Sequence, residues 1–165
     1  MLIALTGFMA GGKSTVGRLL ADSLDCPFLD LDALVEKKAG CSIPEIFSSG
    51  GEAAFRSLEK KTLEETLPRY ADSTAVIALG GGTVTIPGMV SLLQKNTVCI
   101  YLKASLETLQ ARLAGHSAGR PLASGDLSAL LSAREPLYEQ AAHVVIDTDP
   151  LTPDQITDEI IISCL

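Results

Sequence analysis

Between residues 7 and 14 the chain reads Gly7-Phe8-Met9-Ala10-Gly11-Gly12-Lys13-Ser14, which satisfies GxxxxGK[ST] at every required position. The chemistry of that spacing is anion capture. Glycines let backbone N–H groups close around a phosphate without interference from a Cβ. A helix opening behind them adds its own N–H groups and its dipole. In such a loop Lys13 reaches the outer phosphates and the Ser14 hydroxyl is a ligand for Mg²⁺. Gly7, Ala10, Gly11, Gly12, Lys13, Ser14 and the adjoining Thr15 are therefore the expected contacts of ATP. A chance match in a glycine-rich loop is the bland alternative, and the motif's place after an apolar run and before a helical one argues against it. The chain has no [NT]KxD segment to read guanine and is short for the coupling elements of a motor ATPase.

Two further groups could work beside a phosphate loop. Phe28-Leu29-Asp30-Leu31-Asp32 ends a strand-like run in two acids. At the carboxyl end of a parallel strand such acids face the ligand crevice. If the strand persisted, Asp30 and Asp32 would project the same way, one toward Mg²⁺ and one toward a substrate hydroxyl. The alternative is a turn in which Asp32 caps a helix beginning at Ala33. The second group is the arginines, few in a chain of net charge −7 that must still bind an anion. Each has an ordinary reading as well. Arg56 and Glu59 could be an i,i+3 pair on an exposed helix face, Arg134 could be solvated, and Arg120-Pro121 could be a simple turn. Gly80-Gly81-Gly82 could be only a strand breaker.

Alternating signals predict the elements that must position these residues. Strands are expected at Met1 to Thr6, Pro27 to Leu31, Ala75 to Leu79, Val98 to Leu102 and Val144 to Ile146. Helices are expected at Lys13 to Ser23, Leu34 to Lys38, Ile43 to Phe47, Ala53 to Leu67, Ser105 to Leu113, Leu127 to Gln140 and Pro153 to Cys164, with a Gly50-Gly51 break and Pro68 as a stop. Ser105 is the expected cap of its helix. About five strands interleaved with helices imply an α/β fold, a parallel sheet covered on both faces, in one domain over residues 1–165. Residues 116 to 126 are polar and rich in glycine and serine, hence loop-like.

The runs GFMAGGKST, FLDLD, IFSSGGEAAFRSLE, LGGGTV, GRPL and REPLYEQAA, in that order and at comparable spacing, resemble the shikimate kinase family. The most discriminating is Gly51-Glu52-x-x-Phe55-Arg56-x-x-Glu59. The resemblance implies a three-layer P-loop kinase fold with a mobile lid at about 115–126. It also implies Mg²⁺-dependent transfer of the γ-phosphoryl of ATP to the 3-hydroxyl of shikimate. It puts Arg56 and Arg134 on the substrate carboxylate, which suits a guanidinium fork. By the same resemblance Asp32 orients or deprotonates the hydroxyl, Gly80, Gly81 and Gly82 admit the ring against bare backbone, and Asp30 holds the metal through water. Lys13 and Arg120 stabilise the transferred charge, and Arg112 and Pro153 lie on the two faces of adenine. The phosphate loop reads AGG where the family often has GAG, and no special chemistry is expected of Ala10. A gluconate kinase and a nucleotide-binding module without catalysis are the competing readings.

Composition agrees. Hydrophobic residues make up 47% and charged residues 20%, as in a globular protein. The acidic balance argues against nucleic acid or an anionic membrane as partners. Cys26, Cys41, Cys99 and Cys164 stand at no metal-ligand spacing. The start MLIALTG lacks the marks of a signal peptide. A cytoplasmic monomer is the expectation.

Overall fold

The computed structural model describes residues 1–114 and 126–164. In chain order the elements are β1 (Leu2–Thr6), α1 (Lys13–Ser23), β2 (Phe28–Asp30), α2 (Leu31–Ala39), α3 (Ile43–Thr66), β3 (Ala75–Ala78), α4 (Met89–Asn96), β4 (Val98–Lys103), α5 (Leu106–Ala114), α6 (Leu127–Ala141), β5 (Val144–Asp147) and α7 (Pro153–Cys164). Short 3₁₀ turns follow α3 at Leu67–Tyr70 and β3 at Thr83–Thr85.

The five strands form one sheet in the order β2-β3-β1-β4-β5, every neighbouring pair parallel. The central strand β1 is buried at every position, as an unbroken apolar run predicts for a strand covered on both faces. Its side chains alternate between two cores. Leu2 and Ala4 join Phe55 and Leu63 of α3, Met89 and Leu93 of α4 and Tyr138 of α6 on one face. Ile3 and Leu5 join Val16 and Leu20 of α1 and Ile156 and Ile160 of α7 on the other. Each such side chain contributes about 1.5–3 kcal/mol by leaving water. That burial fixes the sheet as the rigid base of the site.

The chain leaves β1 for β2 on one side and later crosses to β4 on the other. This reversal opens a crevice at the carboxyl ends of the strands. Two local outcomes differ from expectation. β2 stops at Asp30, whose carboxylate accepts from the Ala33 N–H at 3.3 Å, so Asp30 and not Asp32 caps α2. The strand does not persist to carry both acids on one face, because an acid one residue before the helix captures its free N–H groups first. The expected Gly50-Gly51 break is present: α3 is two helical stretches that meet at a kink, where Gly51 leaves helical geometry at φ 73 and ψ −175. Helix α4 was not expected. It lies behind Pro87 and starts at Met89 after Gly88, which has no side chain to cap it, so it lacks the usual opening signal.

Candidate active site

Segments that follow the carboxyl ends of β1, β2, β3 and β5 line one cleft of about 870 Å³, together with residues of α3, Arg112 of α5 and Arg134 of α6. The phosphate loop leaves β1, and α1 begins at Lys13 behind Gly12 without a side-chain cap. Its first N–H groups are thereby left for an anion. The Lys13 Nζ donates to the carbonyls of Gly7 and Phe8, both at 2.8 Å, which folds the ammonium back over the loop. Ala10 has φ 61, a left-handed conformation that costs a residue bearing a Cβ. The expectation that Ala10 needs nothing special is corrected accordingly.

Asp30, from β2, and Asp32, in the first turn of α2, line the same cleft. Burial, with the nearby charges of Asp30 and Glu59, pushes the Asp32 carboxyl up to about 6 against the opposing pull of Lys13 and Arg56. A carboxylate that is ionised near neutral pH, yet basic enough to take a proton, is suited to orienting a hydroxyl.

Arg56 and Glu59, one turn apart on α3, do pair, with Nη1 to Oε1 at 2.8 Å, but not on an exposed face. Glu59 is 0% exposed, and its second oxygen accepts from the Thr83 hydroxyl at 2.6 Å. Arg56 Nη2 meets Glu52 more loosely at 3.5 Å, and its buried Nε donates to no atom of the described residues. A buried guanidinium edge without a partner is a site prepared for an acceptor from outside.

Arg134, on α6, is 5% exposed and lies over the Phe8 ring, so it is not a solvated cation. Gly80, Gly81 and Gly82 sit among these groups. A Cβ on Gly82 would lie 2.2 Å from Arg56 Nη2, and one on Gly80 would lie 2.8 Å from Glu59 Oε2 and 3.3 Å from Asp32 Oδ1. The Gly81 carbonyl accepts from the Tyr138 hydroxyl. The glycines thus admit the site's own side chains to the backbone, a nearer reason for their small size than room for a substrate ring.

Arg112, on α5, reaches the phosphate loop, its Nη1 donating to the Ala10 carbonyl at 3.1 Å. Pro153, the first residue of α7, lines the same cleft. Arg120 and the rest of the expected lid up to residue 125 lie outside the described residues. Asp126 is the cap of α6, accepting from the Ala129 N–H. Thr83 and Tyr138 were not singled out in the sequence, where a threonine after three glycines and a tyrosine beyond Pro136 carry no spacing that marks them.

A phosphate loop rooted on the central strand of a parallel sheet, facing acids and arginines across one crevice, defines a P-loop phosphotransferase. The shikimate kinase family model matches residues 9–165. The chain belongs to the shikimate kinase family. It is 41% identical to the shikimate kinase of Enterococcus faecalis over 96% of this chain and 95% of that one. It is 42% identical to that of Chlorobium chlorochromatii over 90% and 82%. Among solved structures, the shikimate kinase of Acinetobacter baumannii in complex with shikimate superposes with a TM-score of 0.89 at 36% identity, covering 97% of this chain and 90% of that one. A gluconokinase from Sinorhizobium meliloti shares the fold at a TM-score of 0.61 and 18% identity.

Proposed function

We propose that this chain transfers the γ-phosphoryl group of ATP to the 3-hydroxyl of shikimate. The observation that carries the substrate is the part-buried Arg56, whose Nε is buried and has no partner among the described residues, held by Glu59 in the cleft that also contains the phosphate loop and Arg134. Two guanidinium groups suit a carboxylate, and they leave Asp32 to accept from a ring hydroxyl. The phosphate-loop N–H groups and Lys13 take the triphosphate. Pro153 and Arg112 are the expected contacts of the base, and Arg120 is the expected cation of the lid. Catalysis in this arrangement is positioning and electrostatic stabilisation of charge already present on the phosphoryl oxygens.

The donor set fits Mg²⁺. That ion takes hard oxygen ligands from one or two side chains and completes its shell with phosphate and water. Ser14 and Asp30 supply a hydroxyl and a carboxylate in one cleft. Asp30 and Glu59 add to burial in raising the Asp32 carboxyl, and that negative charge is what a divalent cation would relieve. When bound, the ion neutralises charge on the phosphates.

No described helix is long and apolar enough to cross a membrane. The chain is proposed to work as a single domain and a monomer, in the cytoplasm, without nucleic acid. The test is ADP release with ATP and Mg²⁺ over shikimate, quinate, gluconate and nucleoside monophosphates. Saturable turnover on shikimate alone is expected. Preferential turnover of gluconate would move the substrate assignment, and ADP release from none of them would remove the kinase reading.

A further inference from the structure

Phe8 to Gly11 make a tight turn closed by the Gly11 N–H, which donates to the Phe8 carbonyl at 3.0 Å. Ala10 takes the third position with φ 61, whereas Met9 before it has no positive φ. That is the pattern of a type II turn, in which the third residue is ordinarily glycine because a Cβ is strained there. The next residue has a different need. A Cβ on Gly11 would lie 2.9 Å from the Phe8 oxygen. Glycine therefore sits where space is short, and alanine sits where the backbone is strained. A left-handed alanine persists only when its surroundings over-determine it.

The restraint comes from 102 residues away, where Arg112 Nη1 donates to the Ala10 carbonyl at 3.1 Å. A donor carrying a full charge is roughly twice as strong as a neutral one. Arg112 is itself half-buried in the last turn of α5, a helix packed through Leu109 and Leu113.

We propose that Arg112 is a positioning residue that holds the phosphate loop in its anion-binding turn by anchoring the Ala10 carbonyl, beyond any contact with the base. The inference rests on the reading of this cleft as the ATP site. Without the anchor Ala10 relaxes toward negative φ, the turn opens, and the loop N–H groups no longer converge on one point.

Inorganic tripolyphosphate carries phosphates and no base, so it separates the two roles of Arg112. Titration calorimetry with Mg²⁺ would compare the wild type, Arg112→Ala, Ala10→Gly and the double variant toward tripolyphosphate and ATP. Arg112→Gln, which keeps a long polar side chain, serves as a second replacement should alanine disturb α5. In the alanine-10 background, loss of Arg112 is expected to weaken tripolyphosphate about tenfold, about 1.4 kcal/mol. In the Ala10→Gly background the loss shrinks to about threefold or less, because glycine adopts the turn unaided. Mere loss of a positive charge near the anion would act equally in both backgrounds. Equal losses, or a loss confined to ATP, overturn the inference. A wild type that binds neither ligand overturns the phosphate-loop reading, and the anchor with it.

Discussion

Gly82→Ala isolates the placement of Arg56 from its presence. Gly82 has φ −103 and ψ 3, a bridge conformation open to alanine, so the backbone is not the obstacle. The obstacle is steric. The new Cβ would lie 2.2 Å from Arg56 Nη2 and 2.7 Å from Cζ. Reaching ordinary contact requires the guanidinium to retreat by about 1 Å. It cannot swing freely, because Nη1 is bound to Glu59, and Glu59 is bound in turn to Thr83. A misplacement of that size at a substrate-positioning group costs on the order of 10²-fold in rate. Stretching the buried pair costs less than the about 3–5 kcal/mol of removing one partner. Steady-state ADP release, with shikimate and ATP varied separately, should show kcat/KM for shikimate down about 10²-fold. The affinity for ATP, whose expected contacts do not include Arg56, should stay within about twofold. A variant with the wild-type KM for shikimate would refute the assignment of Arg56 to the substrate carboxylate.

The raised Asp32 carboxyl makes two pH predictions. Activity needs the ionised form, so kcat/KM should fall as pH drops through the Asp32 midpoint, which bound Mg²⁺ draws down from the metal-free value of about 6; a profile with no acidic limb would contradict the role. For stability the sign is opposite. The folded protein holds this proton up to about pH 6 while the unfolded chain releases it near 3.8, so the cost of the ionised group is complete above pH 6 and vanishes below about pH 4. Asp32→Asn should therefore melt above wild type at pH 8, by up to about 3 kcal/mol, with the gap closing toward pH 4, and thermal melts at both pH values check it. Glu59→Ala strands the Arg56 guanidinium and the Thr83 hydroxyl, and should lower the melting temperature by more than about 6 °C by calorimetry.

How legible each part was in the sequence depended on whether its cause was local. α1 and α7 match expectation to the residue, since a phosphate-loop glycine opens one and a first-turn proline opens the other. The five strands are legible because apolar runs between glycine and proline breaks leave little choice of period. Helix α4 was missed because nothing local announces it; it forms by burying Met89 and Leu93. At the site, the spacing of residues 7–14 states its own chemistry. That Asp30 and not Asp32 caps α2 is not stated there, because both acids fit a cap and only the competition for N–H groups decides. Nor could spacing disclose that Glu59 is buried behind Arg56, or that Ala10 is left-handed, since each depends on segments brought together by the fold.

The placement of β1 between β3 and β4 has a consequence for how the molecule comes apart. Its backbone is laddered to a neighbour on both sides along its length. Its amides, at the root of the nucleotide cradle, donate alternately to the two neighbours, so each meets solvent only when the sheet parts beside its central strand, which amounts to melting the sheet rather than fraying an edge. Hydrogen exchange at Leu2–Thr6 should then report the global unfolding free energy, and the cradle's anchorage would be among the last features lost.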